Sequence, residues 1–349
     1  MHHLRFERGE QHDVEQANDE LGPDDALDHH RITPNRFALT GGEVASDEEH
    51  RDPLLVDAGH TPKALVRSND KLTEVCRIHG IDEVDATEGT IVDPDAVGAF
   101  LADCDAVVHT AAVVALDRAG GAAAFEANQL GAQNVLGGAS RAGTEVIVHI
   151  SSAAVFSLAD GAPVDETTPL SDLNHGYGAS KVAIERFVRG MQAAGAPLTL
   201  LYPVGIYGGI PTELDQTHQA LAYWVNDATL ETSTGINVVD VRDVATAAVR
   251  IVDRAVVGER FVVCCDFLPW DDMGDFLEDL LGGEVARFPI PGRALRALGV
   301  LGDAAPSLES RVPFPLTREA MMYATRMVPT DGHRAAERLV FTYTPARTA

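Results

Sequence analysis

From Asn35 onward the chain alternates short apolar runs with longer amphipathic stretches, and this alternation limits the folds open to it more than any other feature. The runs RFALT, KALV, DAVVH, EVIVHIS and LTLLYP each have the length of a strand buried on both faces. Between them, DPDAVGAFLAD opens with Asp93 in an N-cap position, and AAAFEANQLGAQNVLGGASRAG closes on a glycine suited to a C-cap. Strand and helix in turn predict an α/β fold with a doubly wound parallel sheet covered by helices on both faces. From about Tyr207 the rhythm weakens. The segments GGIPTELDQTHQALAYWVND and FPIPGRALRALGVLGDAAPSLES break it and are expected to form a smaller lobe over the strand ends, where ligands bind in such sheets.

At 349 residues and 45% hydrophobic content the chain can bury a full core, as one large domain or two closely joined ones. Residues 1 to about 35 are polar, acidic and rich in histidine, and read as a disordered extension. His2, His3, His12, His29 and His30 lie there without partners at ligand spacing, so no metal is expected. No run of about 18 apolar residues occurs and the N-terminus lacks the apolar core of a secretory signal, which points to the cytoplasm. Cys76, Cys104, Cys264 and Cys265 show no C-x-x-C spacing and read as buried thiols rather than as a disulfide frame or zinc site.

The formal charge of -26 argues against polyanionic partners, because a field of that sign repels nucleic acid and anionic membranes. Lys63, Lys71 and Lys181 are the only lysines. Many carboxylates with so few lysines suit a protein of molar salt, where counterions screen self-repulsion within about 3 Å. A halophilic source is one expectation, and an ordinary acidic protein is the other.

The constellation that carries chemistry is HISSAAVF followed by YGASK. Tyr177 and Lys181 are four residues apart, so on a helix they project from one face. An ammonium near a phenol favours phenolate, which lets Tyr177 exchange a proton with a substrate near neutral pH. Ser152, at the end of the strand EVIVHIS, is placed to hydrogen-bond the same substrate oxygen. With six tyrosines and so few lysines, such a pair arises by chance about 0.05 times, so the match carries information.

With AVVHTAA, FEANQLGAQNVLGGA, VIVHISSAAVF, YGASK, LTLLYPVGIYG, INVVDVRDVATAAV and DGHRAAERLVF in this order, the sequence resembles the extended short-chain dehydrogenase/reductase family, in its branch of NAD-dependent epimerase/dehydratases and dihydroflavonol-reductase-like proteins. The resemblance runs from about Arg36 to the C-terminus. It implies a Rossmann domain at 36–206, followed at 207–349 by a substrate lobe interleaved with the last Rossmann strand and helix at about 236–266. It further implies hydride transfer at a carbonyl/alcohol centre of a small molecule, nucleotide sugars included, and a homodimer paired through two helices. Tyr177 would be the acid/base, Ser152 the orienting hydroxyl, and Lys181 the residue that holds the nicotinamide ribose and tunes Tyr177. Asn128 takes the place of the family's helix asparagine, and the cofactor would also contact Gly41 and Gly42 after the first strand. Farther along it would meet Thr90 and Ile91, then Ala111 and Ala112, then Pro203 and Val204.

Departures from the family pattern narrow this reading. Ala153 and Ala154 stand where sugar 4,6-dehydratases carry an Asp-Glu pair, so elimination chemistry of that type is not expected. Tyr202 replaces the arginine of the LRP segment, and Phe156-Ser157 replaces Tyr-Gly. At the end of KALVRS, Val66 and Arg67 stand where an NAD-specific fold places an acidic residue, so the cofactor is read as NADP, with NAD as the alternative. Thr90 replaces the aspartate that usually contacts adenine.

The largest departure is the loop itself. The pattern T-G-x-x-G-x-x-G would place glycines at 41, 44 and 47, yet Val44 and Asp47 occupy the latter two. Glu43, Asp47, Glu48, Glu49 and Asp52 set like charge near an anionic ligand, and Pro53 falls where the first helix should be continuous. Three explanations compete: a working enzyme with an altered loop, a non-catalytic nucleotide-binding or scaffold protein of the same fold, and a shifted reading frame over about 43–56.

Overall fold

The computed structural model describes residues 36–40, 58–81, 84–112, 118–158, 161–172, 176–208, 216–226, 229–304 and 316–348. Its main sheet has the strands β1 (Arg36–Thr40), β2 (Thr61–Val66), β3 (Asp85–Glu88), β4 (Ala106–His109), β5 (Val146–Ile150), β6 (Leu198–Pro203) and, from late in the chain, β10 (Arg260–Val263). Their order is β10-β6-β5-β4-β1-β2-β3, and every pairing is parallel. Order and direction are those of a doubly wound Rossmann sheet, as the alternation of apolar runs predicts. The four strands from β4 to β6 and β10 are apolar at nearly every position because helices cover both of their faces.

The helices start and stop where local chemistry says they should. Helix α1 (Asn69–His79) is capped by the Ser68 hydroxyl and ended by Gly80 in the left-handed region at φ 67°. Asp93 caps α2 (Pro94–Leu101), its carboxylate accepting the amides of Asp95 and Ala96, with Pro94 at the first position where no amide is needed. Helix α3 (Arg118–Ala142) ends at Gly143, φ 79°. Helix α4 (Gly176–Ala193) packs beside α3.

On one face of the sheet, α2, α3 and α4 bury Phe100, Val135, Leu136, Val182 and Val188 against Val107, Ile147, Leu198 and Leu200. On the other, α6 (Val241–Asp253) and α10 (His333–Leu339) bury Val244, Ile251 and Leu339 against Val148, Leu201 and Phe261. Each such side chain contributes about 1.5–3 kcal/mol when fully buried. Gly138 lets α3 approach α2, since a Cβ there would stand 2.7 Å from Leu101 Cδ1.

The remaining elements are β7 (Gly205–Tyr207), α5 (Gln216–Asn226), β8 (Thr229–Glu231), β9 (Gly235–Asp240), β11 (Asp266–Pro269), α7 (Trp270–Leu281), β12 (Arg287–Pro289), α8 (Gly292–Ala304) and α9 (Arg318–Arg326). They supply a three-stranded sheet in the order β11-β9-β7 and a two-stranded sheet of β12 and β8. Within 236–266, therefore, the strand that joins the main sheet is β10, whereas the apolar run INVVD belongs to the small one. None of the four cysteines forms a disulfide; Cys76 and Cys264 are buried as expected, while Cys104 and Cys265 are only half-buried. No helix among the described residues is long and apolar enough to cross a membrane.

Candidate active site

Because the main sheet is parallel, all its strands present their C-terminal ends along one edge, and the order reverses between β1 and β4, the point outside which sheets of this kind take ligands in a crevice. The sequence-derived candidates collect on this edge. Arg67 follows β2 and is exposed. Thr90 and Ile91 follow β3, with the Thr90 carbonyl accepting the Asp93 amide at 3.0 Å. Ala111 and Ala112 follow β4 and are buried, Ser152 follows β5, and Pro203 closes β6 ahead of Val204. Gly41 and Gly42 follow β1 directly, but they and the loop to residue 57 lie outside the described residues, as does the extension 1–35.

Side-chain alternation decides what faces α3 and α4. Val107, Ile147, Leu200 and Tyr202 pack into the core on that side, which puts His109, His149 and Ser151 there too. Helix α4 answers with residues every four positions: Tyr177, Lys181, Glu185, Arg189. That spacing winds a polar stripe along one side of the helix. Tyr177 stands in the first turn of α4, and its side chain is not among those described.

Lys181 is 5% exposed, and its charge acts on two imidazoles beneath it. His109 and His149 pair across β4 and β5, with ring centroids 5.2 Å apart and planes 20° from parallel. Burial, then the Lys181 charge, pulls His109 down to about 3. Burial, then His109 and Lys181, holds His149 well below the usual imidazole range. Both rings are therefore neutral at physiological pH, so neither adds a positive charge beside Lys181.

Ser152 has extended backbone, and its Oγ accepts the Ala154 amide at 3.2 Å, capping the 3₁₀ turn Ala153–Val155 that packs on α4. Since Oγ is the acceptor there, its O–H remains available to donate toward the crevice. Asn128 is 2% exposed on α3. Ile91 reaches α3 as well: its carbonyl accepts Asn134 Nδ2 at 3.0 Å, and a Cβ on Gly131 would stand 2.2 Å from Ile91 Cδ1.

Below Lys181 lies a buried network that the Tyr177-Lys181 motif alone does not reveal. The Glu185 carboxylate, with no exposed side-chain surface, accepts Ser151 Oγ at 3.0 Å, the Tyr202 hydroxyl at 2.6 Å and Arg189 Nε at 2.6 Å. Burial first, and the Glu185 charge second, push the Tyr202 phenol far above its ordinary range, so it stays protonated, donating to Glu185 and accepting Arg189 Nη2 at 3.4 Å. Two departures from the family pattern thus meet here. Tyr202 stands where the pattern has arginine, and Phe156, where it has tyrosine, packs edge-on against it at 4.9 Å between ring centroids. The cation in this network is Arg189 on α4. The signal was present in the sequence as YGASKVAIERFVR, in which the four-residue spacing continues past Lys181 to Glu185 and Arg189.

A second residue beyond reach of the motif is Glu319 in the first turn of α9, whose Oε1 accepts the Gly178 amide at 2.7 Å. No local pattern points to it, since 141 residues separate the partners.

A nicotinamide dinucleotide fits the chemistry of the described residues. The buried Lys181 ammonium and the Ser152 hydroxyl are donors at the end of the crevice where ribose and substrate would lie, and the methyl side chains of Ala111 and Ala112 leave room for a flat ring. No acidic residue ends β2; Val66 and Arg67 do.

The model of the family described as "NAD dependent epimerase/dehydratase family" matches residues 54–264, three-fifths of the chain. The match begins after β1 and after most of the aberrant loop. No curated protein matches the sequence. Among solved structures, that of gox2253 superposes with a TM-score of 0.76 at 23% identity, covering 90% of this chain and 94% of the other. A UDP-glucose 4-epimerase from Bifidobacterium longum, in complex with NAD+ and UDP, gives 0.65 at 18% identity over 90% and 95%. The terminal R domain of the myxalamid PKS-NRPS pathway gives 0.70 at 21% over 90% and 87%. At these identities the likeness is one of fold.

Proposed function

Because the chain belongs to the NAD dependent epimerase/dehydratase family, we propose that it is an oxidoreductase or epimerase that acts on a carbonyl/alcohol centre of a small molecule through Ser152, Tyr177 and Lys181. The observation that carries this reading is the buried Lys181 on the first turns of α4, one helical turn from Tyr177 and beside the strand end that delivers Ser152. When bound, the nicotinamide supplies or accepts the hydride.

The chain's own residues do the rest. Ser152 donates its O–H to the reacting oxygen and orients it. Tyr177 exchanges the proton at that oxygen, and the Lys181 charge favours the phenolate needed for it. The neutral His109-His149 pair adds no positive charge to compete with Lys181 above it. Ala153 and Ala154 offer no carboxylate for elimination, which supports reduction or epimerisation over dehydration.

Arg67, exposed at the end of β2, supports NADP as the preferred dinucleotide, since a guanidinium there suits the 2'-phosphate. The test is turnover of a panel of nucleotide sugars and of small ketones and aldehydes, scored by nicotinamide absorbance and product analysis. Tyr177→Phe should lose about 10²–10⁴-fold in kcat while still binding dinucleotide. A Tyr177→Phe enzyme as fast as wild type would refute the assignment.

A second reading, a non-catalytic nucleotide-binding or scaffold protein, is favoured by one observation: the family match leaves out the glycine-loop region. Translating the gene's other frames across 43–56 separates the remaining explanations. A glycine-rich apolar peptide in one of them supports a shifted frame.

A further inference from the structure

We infer that Glu319 is a positioning residue of the active site, a carboxylate that reaches from the C-terminal part of the chain to lock the first turn of the helix bearing Tyr177 and Lys181. The inference gains its catalytic meaning from the role assigned to Tyr177, but the contact itself does not depend on that role.

The first amides of any helix have no partner within the helix, and Gly178, two residues into α4, carries one of them. It donates to Glu319 Oε1 at 2.7 Å. Gly178 is the residue next to Tyr177, so this bond fixes the backbone from which the acid/base side chain departs. Glu319 is itself in the first turn of α9, where Thr317 caps the helix by accepting the Ala320 amide at 3.1 Å. One carboxylate thus sits at the N-terminal ends of two helices, its own and α4.

The mount of this carboxylate is built for close tolerance. Helix α8 packs against α9 through glycines. A Cβ at Gly302 would stand 1.8 Å from the Leu316 carbonyl oxygen, and one at Gly299 would stand 2.8 Å from that of Thr317. The backbone leading into α9 therefore rests directly on α8, with Arg318 paired to Asp303 at 3.6 Å. The far end of α9 and the residues just after it are tied to the β8–β9 segment, where Thr232 Oγ1 donates to the Ala324 carbonyl at 3.0 Å and Asn237 Nδ2 to the Val328 carbonyl at 2.8 Å. The short helix is held at both ends, and its first turn carries Glu319, the side chain that bonds the Gly178 amide of α4.

The arrangement makes the geometry of the catalytic helix depend on a segment 141 residues away. Motion of the α8-α9 unit would be transmitted to the turn that holds Tyr177. Glu319 touches neither substrate nor cofactor in this account; it acts through the backbone of Gly178.

Amide hydrogen exchange read by mass spectrometry on the full chain tests this without substrate or cofactor. Glu319→Ala should speed exchange in the peptide spanning the first turn of α4 by about tenfold, while peptides from the C-terminal half of α4 and from β5 keep wild-type rates. Glu319→Gln retains an oxygen that can accept the Gly178 amide and should restore protection to within about twofold. Gly302→Ala, which displaces the start of α9, should mimic Glu319→Ala. First-turn exchange unchanged in Glu319→Ala would overturn the inference. So would a uniform loss of protection along all of α4, or failure of Glu319→Gln to rescue, because each would mark Glu319 as ordinary packing or as a pure charge effect. These rates are read on unliganded protein, so they remain decisive even if no dinucleotide binds.

Discussion

Arg189→Met removes the only cation bonded to the buried Glu185 carboxylate among the described residues, and the structure sets how much that should cost. The carboxylate has no exposed surface, while the Arg189 side chain keeps 25% of its own, so the pair is desolvated on one side only. After the substitution Ser151 and Tyr202 still donate, but neither is charged. Breaking one partner of a buried pair costs about 3–5 kcal/mol, and the partial exposure of Arg189 places this case near 3. Tyr202→Phe deletes one hydrogen bond to a charged acceptor and should cost about 1.5–3 kcal/mol. With unfolding entropy near 2.1 cal/mol/K per residue, Arg189→Met should lower the unfolding midpoint by about 4–5 °C. Circular dichroism melts and denaturant titrations of the two single variants and the double variant measure the coupling. Because both side chains bond the same oxygen, the losses should depart from additivity by at least about 0.5 kcal/mol. Adding Tyr202→Arg to Arg189→Met returns a cation from β6 and should recover at least half of the loss. A midpoint within about 1 °C of wild type for Arg189→Met, or strict additivity, would refute the claim that these residues act as one unit.

Other outcomes follow from the same site. The folded protein keeps His109 and His149 neutral, whereas the unfolded chain protonates them near pH 6.5, so protons favour unfolding. Their contribution is intact above that pH and is lost as pH falls, at about 1.4 kcal/mol per unit for each imidazole, down to pH about 3 for His109. Denaturant titrations between pH 7 and 5 should show a shallower loss in His149→Leu than in wild type, and parallel curves would contradict this. Ser152→Ala should reduce kcat while leaving dinucleotide affinity unchanged, and a large loss of affinity would place the hydroxyl on the cofactor instead. With a formal charge of -26, the chain should gain thermal stability in molar KCl; no gain would mark it as an ordinary acidic protein.

Most of the frame is legible in the sequence because its signals are local. Buried parallel strands are short apolar runs, and helix ends carry their own caps, as Asp93 and Gly143 do. The run INVVD shows where that approach stops. A strand buried on both faces reads the same whichever sheet it joins, so its place in the small sheet beside β7 and β11 is a property of pairing, not of the run. The Tyr177-Lys181 pair is legible from helical spacing, and Glu185 and Arg189 lie at the same spacing. Charged residues on a helix usually face water, however, and only the Ser151 and Tyr202 positions on neighbouring strands turn these two inward. Glu319 offers no signal at all, because its partner is brought to it by the tertiary fold.

The central claim is that the crevice between β1 and β4 takes a nicotinamide dinucleotide despite Val44 and Asp47 in the glycine pattern. Titration of the purified chain with NADPH and NADH, followed by nicotinamide fluorescence, tests it most directly. Saturable binding at micromolar concentration, tighter for NADPH and weakened by Lys181→Met, is the expected result. No binding of either dinucleotide up to millimolar concentration would contradict the account.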